Sequence, residues 1–230
     1  MSDYLKQNHD FWQQGYNAPN PESAIFRLNG RILKSRFGLP KENTRLLDFG
    51  CGQGAHVNFF IQQGYNARGV DISEKDLAIA KCRYPQLSDR FQLVSSDPSK
   101  VDKYGWTEGI DVVTAQQTLY YFSDEHLAVA LRRLYDSMSP GALIYASMMG
   151  TEHTYYAYSE PSSEPSLRRV TFSGSRFNLD NYYVNFIESA AEIEEKFGIF
   201  KKLEVGKYML QFEENESNNF HWVFIGQKST

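Results

Sequence analysis

Two cysteines in 230 residues, Cys51 and Cys82, are too few for a disulfide framework, and neither belongs to a CxxC pair. No set of His, Asp and Glu shows metal-ligand spacing, so no metal is expected. No run of 18 apolar residues exists, which excludes the ordinary signature of a transmembrane helix. The start, Met1-Ser-Asp-Tyr-Leu-Lys6, lacks the basic-then-apolar layout of a signal peptide. Positive charge is not in excess: 24 Lys and Arg stand against 28 Asp and Glu, a net −4. A nucleic-acid or membrane-surface partner would favour a basic face, so neither is expected. These absences point to a reduced, cytoplasmic protein acting on a small molecule as a monomer or homodimer. Aromatic residues, by contrast, make up 15% of the chain, and a substrate pocket is expected where they gather.

Elements alternate along the chain. Residues 1–19 are polar and aromatic, with Tyr4, Phe11, Trp12 and Tyr16 spaced for a short helix. Asn20-Pro21-Glu22-Ser23 predicts a helix start, with Asn20 as cap and Ile25, Leu28, Ile32 and Leu33 inward, running to about Phe37. Strands are expected at 44–49, 66–71, 91–94, 110–115 and 142–147. Between them, helices are expected at 54–63, from Ser73 to near Pro85, and from Asp124 to Ser139; in the last, Leu127, Leu131, Leu134 and Met138 form one apolar stripe. Strands alternating with helices at this spacing imply a doubly wound, mostly parallel α/β sheet. Residues 151–178 break the rhythm and read as a long loop or lid. A helix capped by Asn178 or Asp180 is expected to reach Phe197, and two strands, 203–211 and 220–225, to close the chain as an antiparallel hairpin. The division is a helical cap (1–40), a core (44–150), a lid (151–178) and a terminal part (179–230), all within one domain.

The stretch Thr44-Arg-Leu-Leu-Asp-Phe-Gly-Cys-Gly-Gln-Gly54 carries the chemistry. Strand, glycine turn and helix let backbone N–H groups and a helix N-terminus approach a ligand. Gly69-Val-Asp71 ends the next strand on an acid. Two frames are open. Gly50-x-Gly52-x-x-Ala55, with Asp71 about 20 residues on, fits a dinucleotide fingerprint and hence an NAD-dependent oxidoreductase. Asp48-x-Gly50-x-Gly52-x-Gly54 places an acid just before the turn, where a pyrophosphate would meet like charge and a cofactor bearing an ammonium and a sulfonium would not.

The second frame resembles the class I S-adenosylmethionine-dependent methyltransferases of small-molecule type. Leu46 to Gly54 is similar to their first motif, Gly69 to Ser73 to their second, Ile110 to Phe122 to their fourth-strand segment and Leu134 to Met148 to the helix, Pro-Gly turn and fifth strand that follow. The resemblance covers roughly residues 44–150. It implies a seven-stranded sheet with a terminal hairpin, and S-adenosyl-L-methionine as cofactor, with S-adenosyl-L-homocysteine as product. On that resemblance Gly50, Cys51, Gly52 and Gly54 would form the turn beside the methionyl part, with Asp48 near its amino group. Asp71, followed by Ile72, would accept the ribose hydroxyls; Ser96 and Asp97 would face the adenine; Gln116 would approach the methionyl part. Arg27 is a candidate for the methionyl carboxylate, because a ubiquinone-pathway subgroup carries a similar Asn-Pro…Arg helix.

Methyl transfer from a sulfonium needs a nucleophile held in line in a dry pocket and, for a hydroxyl, a base. Such a site lies at the carboxyl ends of the strands. His153 is the expected base, with an ordinary pKa of about 6.5, and Tyr121 the alternative. Cys51 reads as a small turn residue, Asp111 as a structural one, and His221 as part of the hairpin. Trp12, Tyr16, Tyr120, Tyr155, Tyr156, Arg168 and Arg169, with Tyr158 and Arg176, are expected to line the acceptor pocket, the arginines suiting an acidic acceptor. The expectation is O-methylation of a polar or acidic metabolite or sugar. Alternatives are N-methylation, a catalytically silent cofactor-binding protein, and the NAD enzyme. Gln116-Gln-Thr-Leu119 stands where a nucleic-acid methyltransferase would carry Asn/Asp-Pro-Pro-Tyr/Phe.

Overall fold

The computed structural model describes residues 3–14, 19–107, 109–172, 179–211, 213 and 218–230. Tyr16 and Arg176 lie outside the described residues. In chain order the core elements are helix α1 (Asp3–Trp12), helix α2 (Ser23–Arg27) continuing as a wider turn over Leu28–Lys34, strand β1 (Arg45–Phe49), helix α3 (Ala55–Gln62), strand β2 (Asn66–Asp71), helix α4 (Glu74–Arg83), strand β3 (Phe91–Leu93), strand β4 (Ile110–Ala115), helix α5 (Asp124–Ser137) and strand β5 (Met138–Met149). There follow helix α6 (Thr154–Ala157), strands β6 (Ser159–Pro161), β7 (Arg168–Phe172) and β8 (Leu179–Val184), helix α7 (Ala190–Lys196), and strands β9 (Lys201–Tyr208) and β10 (His221–Gln227).

Seven strands form one sheet in the order β3-β2-β1-β4-β5-β10-β9. The first five run parallel, and β10 is antiparallel to both β5 and β9. This is the expected doubly wound sheet with its terminal hairpin. Alternation along the central strands separates two cores: Leu46 and Val112 pack on one face with Ile25, Val57 and Phe60, while Leu47 and Val113 pack on the other with Leu127, Leu131 and Leu134. Each such side chain contributes roughly 1.5–3 kcal/mol on burial. Order reverses between β1 and β4, so a crevice opens at their carboxyl ends. Asp111 accepts from the Arg45 backbone N–H at 2.9 Å, the structural role expected of it.

Three expectations are corrected. The segment 151–178 is not a featureless loop: α6, β6 and β7 form within it, and β6-β7-β8 make a separate antiparallel sheet. The helix expected from Asn178 or Asp180 is instead β8 followed by α7. Tyr182 and Val184 are buried and Tyr183 half-buried, the period-two pattern of a strand. The helix waits for Ser189, whose hydroxyl accepts from Glu192 N–H at 3.2 Å, while the Glu192 carboxylate takes the Glu188 N–H at 2.7 Å. That is a reciprocal cap from a Ser-x-x-Glu spacing. Finally, α2 starts at Ser23, after an extended Glu22, and not at the Asn20-Pro21 signal. Two smaller differences lie at one junction: α5 ends at Ser137 and β5 already begins at Met138.

Candidate active site

Beyond β1 the chain turns sharply. Gly50, Gly52 and Gly54 take φ values of +77°, +48° and +80°, the left-handed region that glycine enters without strain. The N–H groups of Gly50 and Cys51 both donate to the Val70 carbonyl, tying the turn to β2. The three glycines meet different neighbours. A Cβ on Gly50 would stand 2.3 Å from Thr118 Oγ1, and one on Gly54 would stand 2.6 Å from the Phe91 ring. A Cβ on Gly52 would meet open space. Gly50, Cys51 and Gly52 line a cavity of about 800 Å³; Gly54 does not. Burial pushes the Cys51 thiol well above its usual range, consistent with a packing residue of the turn.

Asp71 closes β2 at the cavity wall. Its Oδ2 accepts from Gly52 N–H at 2.7 Å and its Oδ1 from Ser73 N–H at 2.8 Å. These bonds aim the carboxylate, and each oxygen retains a second lone pair. Burial raises its pKa to about 6 against the pull of those N–H groups. Ile72 also lines the cavity, and its carbonyl accepts from the Gln13 side chain, which joins the end of α1 to this edge. Ser96 lines it with a buried Oγ that has no hydrogen-bond partner. Asp97 is turned away. Its Oδ1 caps Ser99 through N–H at 3.0 Å and the hydroxyl at 2.6 Å, and this lowers its pKa.

Asp48 is buried beneath the turn and does not reach the cavity wall. Thr114 donates to its Oδ1 at 2.8 Å, and His56 Nδ1 lies 3.5 Å from its Oδ2. Burial opposes charge on His56, but Asp48 and Glu22 outweigh it and raise its pKa. His56 and Glu22 both line the cavity. Glu22 takes hydrogen bonds from Gln116 Nε2 at 2.6 Å and Gln117 Nε2 at 2.9 Å, and burial raises its pKa. Gln116 also accepts from Tyr145 at 2.8 Å and donates to Tyr208 at 2.8 Å, so its side chain is wholly committed. Arg27 is exposed and does not line the cavity; from α2 it is Ser23 and Ala24 that do. The basic side chain at this end is His56, a residue whose sequence context gave no signal.

The far end is aromatic. Trp12, Tyr120, Tyr121 and Tyr155 line it, joined by Phe11, Tyr182, Tyr208 and His221. The Phe11 and Tyr182 rings stack at 4.8 Å, and the Trp12 and Tyr121 rings meet edge-on at 5.1 Å. Tyr156, Arg168 and Arg169 do not line it. Arg168 grips Ser159 with two bonds of 2.7 Å and lies over the Tyr156 ring, while Arg169 faces Glu160. These residues hold the small sheet together. Among the described residues no Lys or Arg lines the cavity. Among the described residues, the charge expected from Arg168 and Arg169 is therefore not found at this end.

His153 lines the cavity, but its geometry argues against a base. It caps α6, its Nδ1 accepting the Tyr155 N–H at 3.0 Å. The neutral ring must then carry its hydrogen on Nε2. Burial, with His221 nearby, lowers its pKa to about 3. Tyr121 donates toward Tyr120 at 3.5 Å, and burial lifts the Tyr120 hydroxyl well above its usual range. Neither phenol is set up to take a proton.

With this geometry in hand, comparison with known proteins is informative. The methyltransferase-domain family model matches residues 22–183. A ubiquinone biosynthesis O-methyltransferase of Nitrobacter winogradskyi is 27% identical over 180 residues, 76% of this chain and 64% of that protein. The matches to curated relatives span between 42% and 65% of those proteins' lengths. Among solved structures, a SAM-dependent methyltransferase of Methanosarcina mazei superposes with a TM-score of 0.67 at 16% identity, covering 91% of this chain and 99% of that one. The 1,6-didemethyltoxoflavin-N1-methyltransferase of Burkholderia thailandensis, solved with bound 1,6-didemethyltoxoflavin and S-adenosylhomocysteine, gives a TM-score of 0.59 at 18% identity, covering 100% of this chain and 87% of that one. At these identities the structural likeness speaks for the fold. Because the family model spans most of the chain, from Glu22 at the cavity to Tyr183 in β8, the chain belongs to the methyltransferase-domain family.

Proposed function

We propose that this chain is an S-adenosylmethionine-dependent methyltransferase acting on a small, planar, uncharged acceptor, at oxygen. The carrying observation is a single cavity with two unlike ends. One end fits the cofactor. Asp71 offers acceptor lone pairs suited to a vicinal diol, Ser96 Oγ lacks a partner, and the space over Gly52 is open to backbone approach. Glu22 and His56 flank the place where an ammonium and a carboxylate would lie. When bound, the cofactor supplies a methyl group on a sulfonium, which passes to the acceptor oxygen as the bonding pair returns to sulfur. The other end, walled by Trp12, Tyr121 and Tyr182, suits a ring held by aromatic contact and dry surroundings. An acidic acceptor loses its support, because Arg168 and Arg169 are engaged in the small sheet. The names of two similar proteins agree with a small-molecule acceptor, one an O-methyltransferase of ubiquinone biosynthesis and one an N1-methyltransferase of 1,6-didemethyltoxoflavin.

Calorimetric titration should show S-adenosylhomocysteine binding and NADH failing to bind; the reverse pattern would sink the reading. Mass spectrometry of a panel of phenols and of aliphatic carboxylates should then show methylation among the phenols. Products confined to the carboxylates would overturn the acceptor class.

A further inference from the structure

His221 opens β10 and was expected to be a hairpin residue. It is 2% exposed and lines the cavity at its aromatic end. Its Nδ1 lies 2.6 Å from the Asn219 carbonyl oxygen. A carbonyl only accepts, so Nδ1 carries the hydrogen and the neutral ring keeps its lone pair on Nε2. That Nε2 is buried and has no hydrogen-bond partner. A buried polar atom without a partner costs stability and calls for an explanation. His153, whose ring centre is 5.5 Å away and nearly perpendicular, holds the opposite tautomer, with Nδ1 committed to Tyr155 N–H. The two histidines on one cavity thus present different nitrogens, one an acceptor and one a donor.

Resting on the methyltransferase reading above, we propose that His221 Nε2 is the base that takes the acceptor's hydroxyl proton. The acceptor O–H bond breaks and its electron pair stays on oxygen. The proton moves to Nε2, giving an imidazolium held by the Asn219 carbonyl, and then leaves to solvent. The groups facing His221 are the Tyr208 ring, stacked at 5.2 Å, the Tyr120 ring at 5.8 Å and His153; Glu22 lies beyond Tyr208. Burial lowers the His221 pKa to about 4 even though the Asn219 carbonyl supports the charged form. The lone pair is therefore free at neutral pH. A weak base suffices here, because an oxygen that is gaining a methyl group becomes far more acidic than an imidazolium.

The two histidines can be separated by isosteric changes. His221→Asn retains an amide N–H for the Asn219 carbonyl and deletes Nε2. His153→Asn retains an acceptor for Tyr155 N–H and deletes the Nε2 hydrogen. In long-range ¹H–¹⁵N spectra of the wild-type protein, His221 should show the Nδ1–H tautomer and His153 the Nε2–H tautomer. An Nε2–H tautomer at His221 would overturn the proposal without any variant. Saturating S-adenosylmethionine and 4-nitrophenol, at pH 6 where the free phenol mostly keeps its proton, make methyl transfer itself the readout, as loss of phenolate absorbance after quenching in alkali. His221→Asn should cut kcat by about tenfold or more, while His153→Asn should raise KM and keep kcat within a few-fold. Equal kcat in wild type and His221→Asn, or no transfer by a wild type that binds S-adenosylhomocysteine, would reject the base. Failure of S-adenosylhomocysteine to bind would reject the underlying methyltransferase reading instead, so the two failures are distinct.

Discussion

Asp71 is half-buried and takes two backbone N–H groups, and its carboxyl is held up to about 6 by burial. If it accepts a diol, Asp71→Ala should weaken S-adenosylhomocysteine binding by about tenfold or more, with the melting temperature little changed. The same group sets a pH dependence of binding. Above pH 6 the carboxylate is charged and accepts; below it the protonated form loses an acceptor. Affinity in the wild type should therefore fall by up to about tenfold per unit below pH 6, and the fall should flatten in Asp71→Ala. Calorimetry between pH 7.5 and 5 reads both. Gly50 and Gly52 offer a second contrast. Gly50→Ala drives a methyl into Thr118 and should lower stability by about 2 kcal/mol or more. Gly52→Ala carries backbone strain of about 1 kcal/mol but puts its methyl into the cavity, so its larger effect should be on cofactor affinity.

At the scale of elements, a buried side chain of α1 ties three segments together. Asn8 donates to the Tyr121 and Tyr183 carbonyls, both at 3.1 Å, and accepts the Tyr183 N–H at 2.7 Å. It thereby joins α1, the turn after β4 and β8, which together carry Phe11, Trp12, Tyr121 and Tyr182 of the acceptor end. Asn8→Ala would leave these backbone groups unpaired, at a cost of about 2–4 kcal/mol in urea unfolding. On the proposed reading, acceptor binding should fall while cofactor binding survives. Loss of both together would show that α1 supports the glycine turn directly. The small sheet β6-β7-β8 depends likewise on Arg168, whose hold on Ser159 makes it a structural cation.

The whole molecule should lose stability in acid. His153 and His221 have pKa values of about 3 and about 4 in the fold, against 6.5 when free. Their contribution is complete above pH 6.5 and is lost as pH falls toward 4, because the unfolded chain binds protons that the folded one refuses. Asp71 works the other way: its folded pKa is raised, so the fold gains as pH drops through 6, and His56 adds in the same direction. The two histidines together outweigh the one acid, and His56 offsets part of the difference, so the balance at pH 5 is a net loss. The urea midpoint should fall between pH 7 and 5, and His221→Asn should make that fall shallower. Among the described residues no helix is long and apolar enough to cross a membrane.

Much of this protein was legible in its residues because the signals were local. Leu46-Leu-Asp-Phe49 and Ile110-Asp-Val-Val113 read as buried strands, and Gly50, Gly52 and Gly54 mark a left-handed turn whatever surrounds them. The β8 strand was misread because its alternation, Tyr182 and Val184 inward, lies in a stretch equally rich in residues for a helix face. Tertiary structure decided what local pattern does not contain. It set Thr118 against Gly50 and Phe91 against Gly54 and, of the three, left open space only at Gly52. It turned Asp97 onto Ser99, spent Arg168 on Ser159, and set His56 on the cavity wall in place of Arg27. It also gave two histidines opposite tautomers, because a hydrogen's position on an imidazole depends on its partner. For His221 that partner is a carbonyl two residues away, and the cavity onto which its other nitrogen is left unpaired gathers residues from as far along the chain as Leu5 and Trp12.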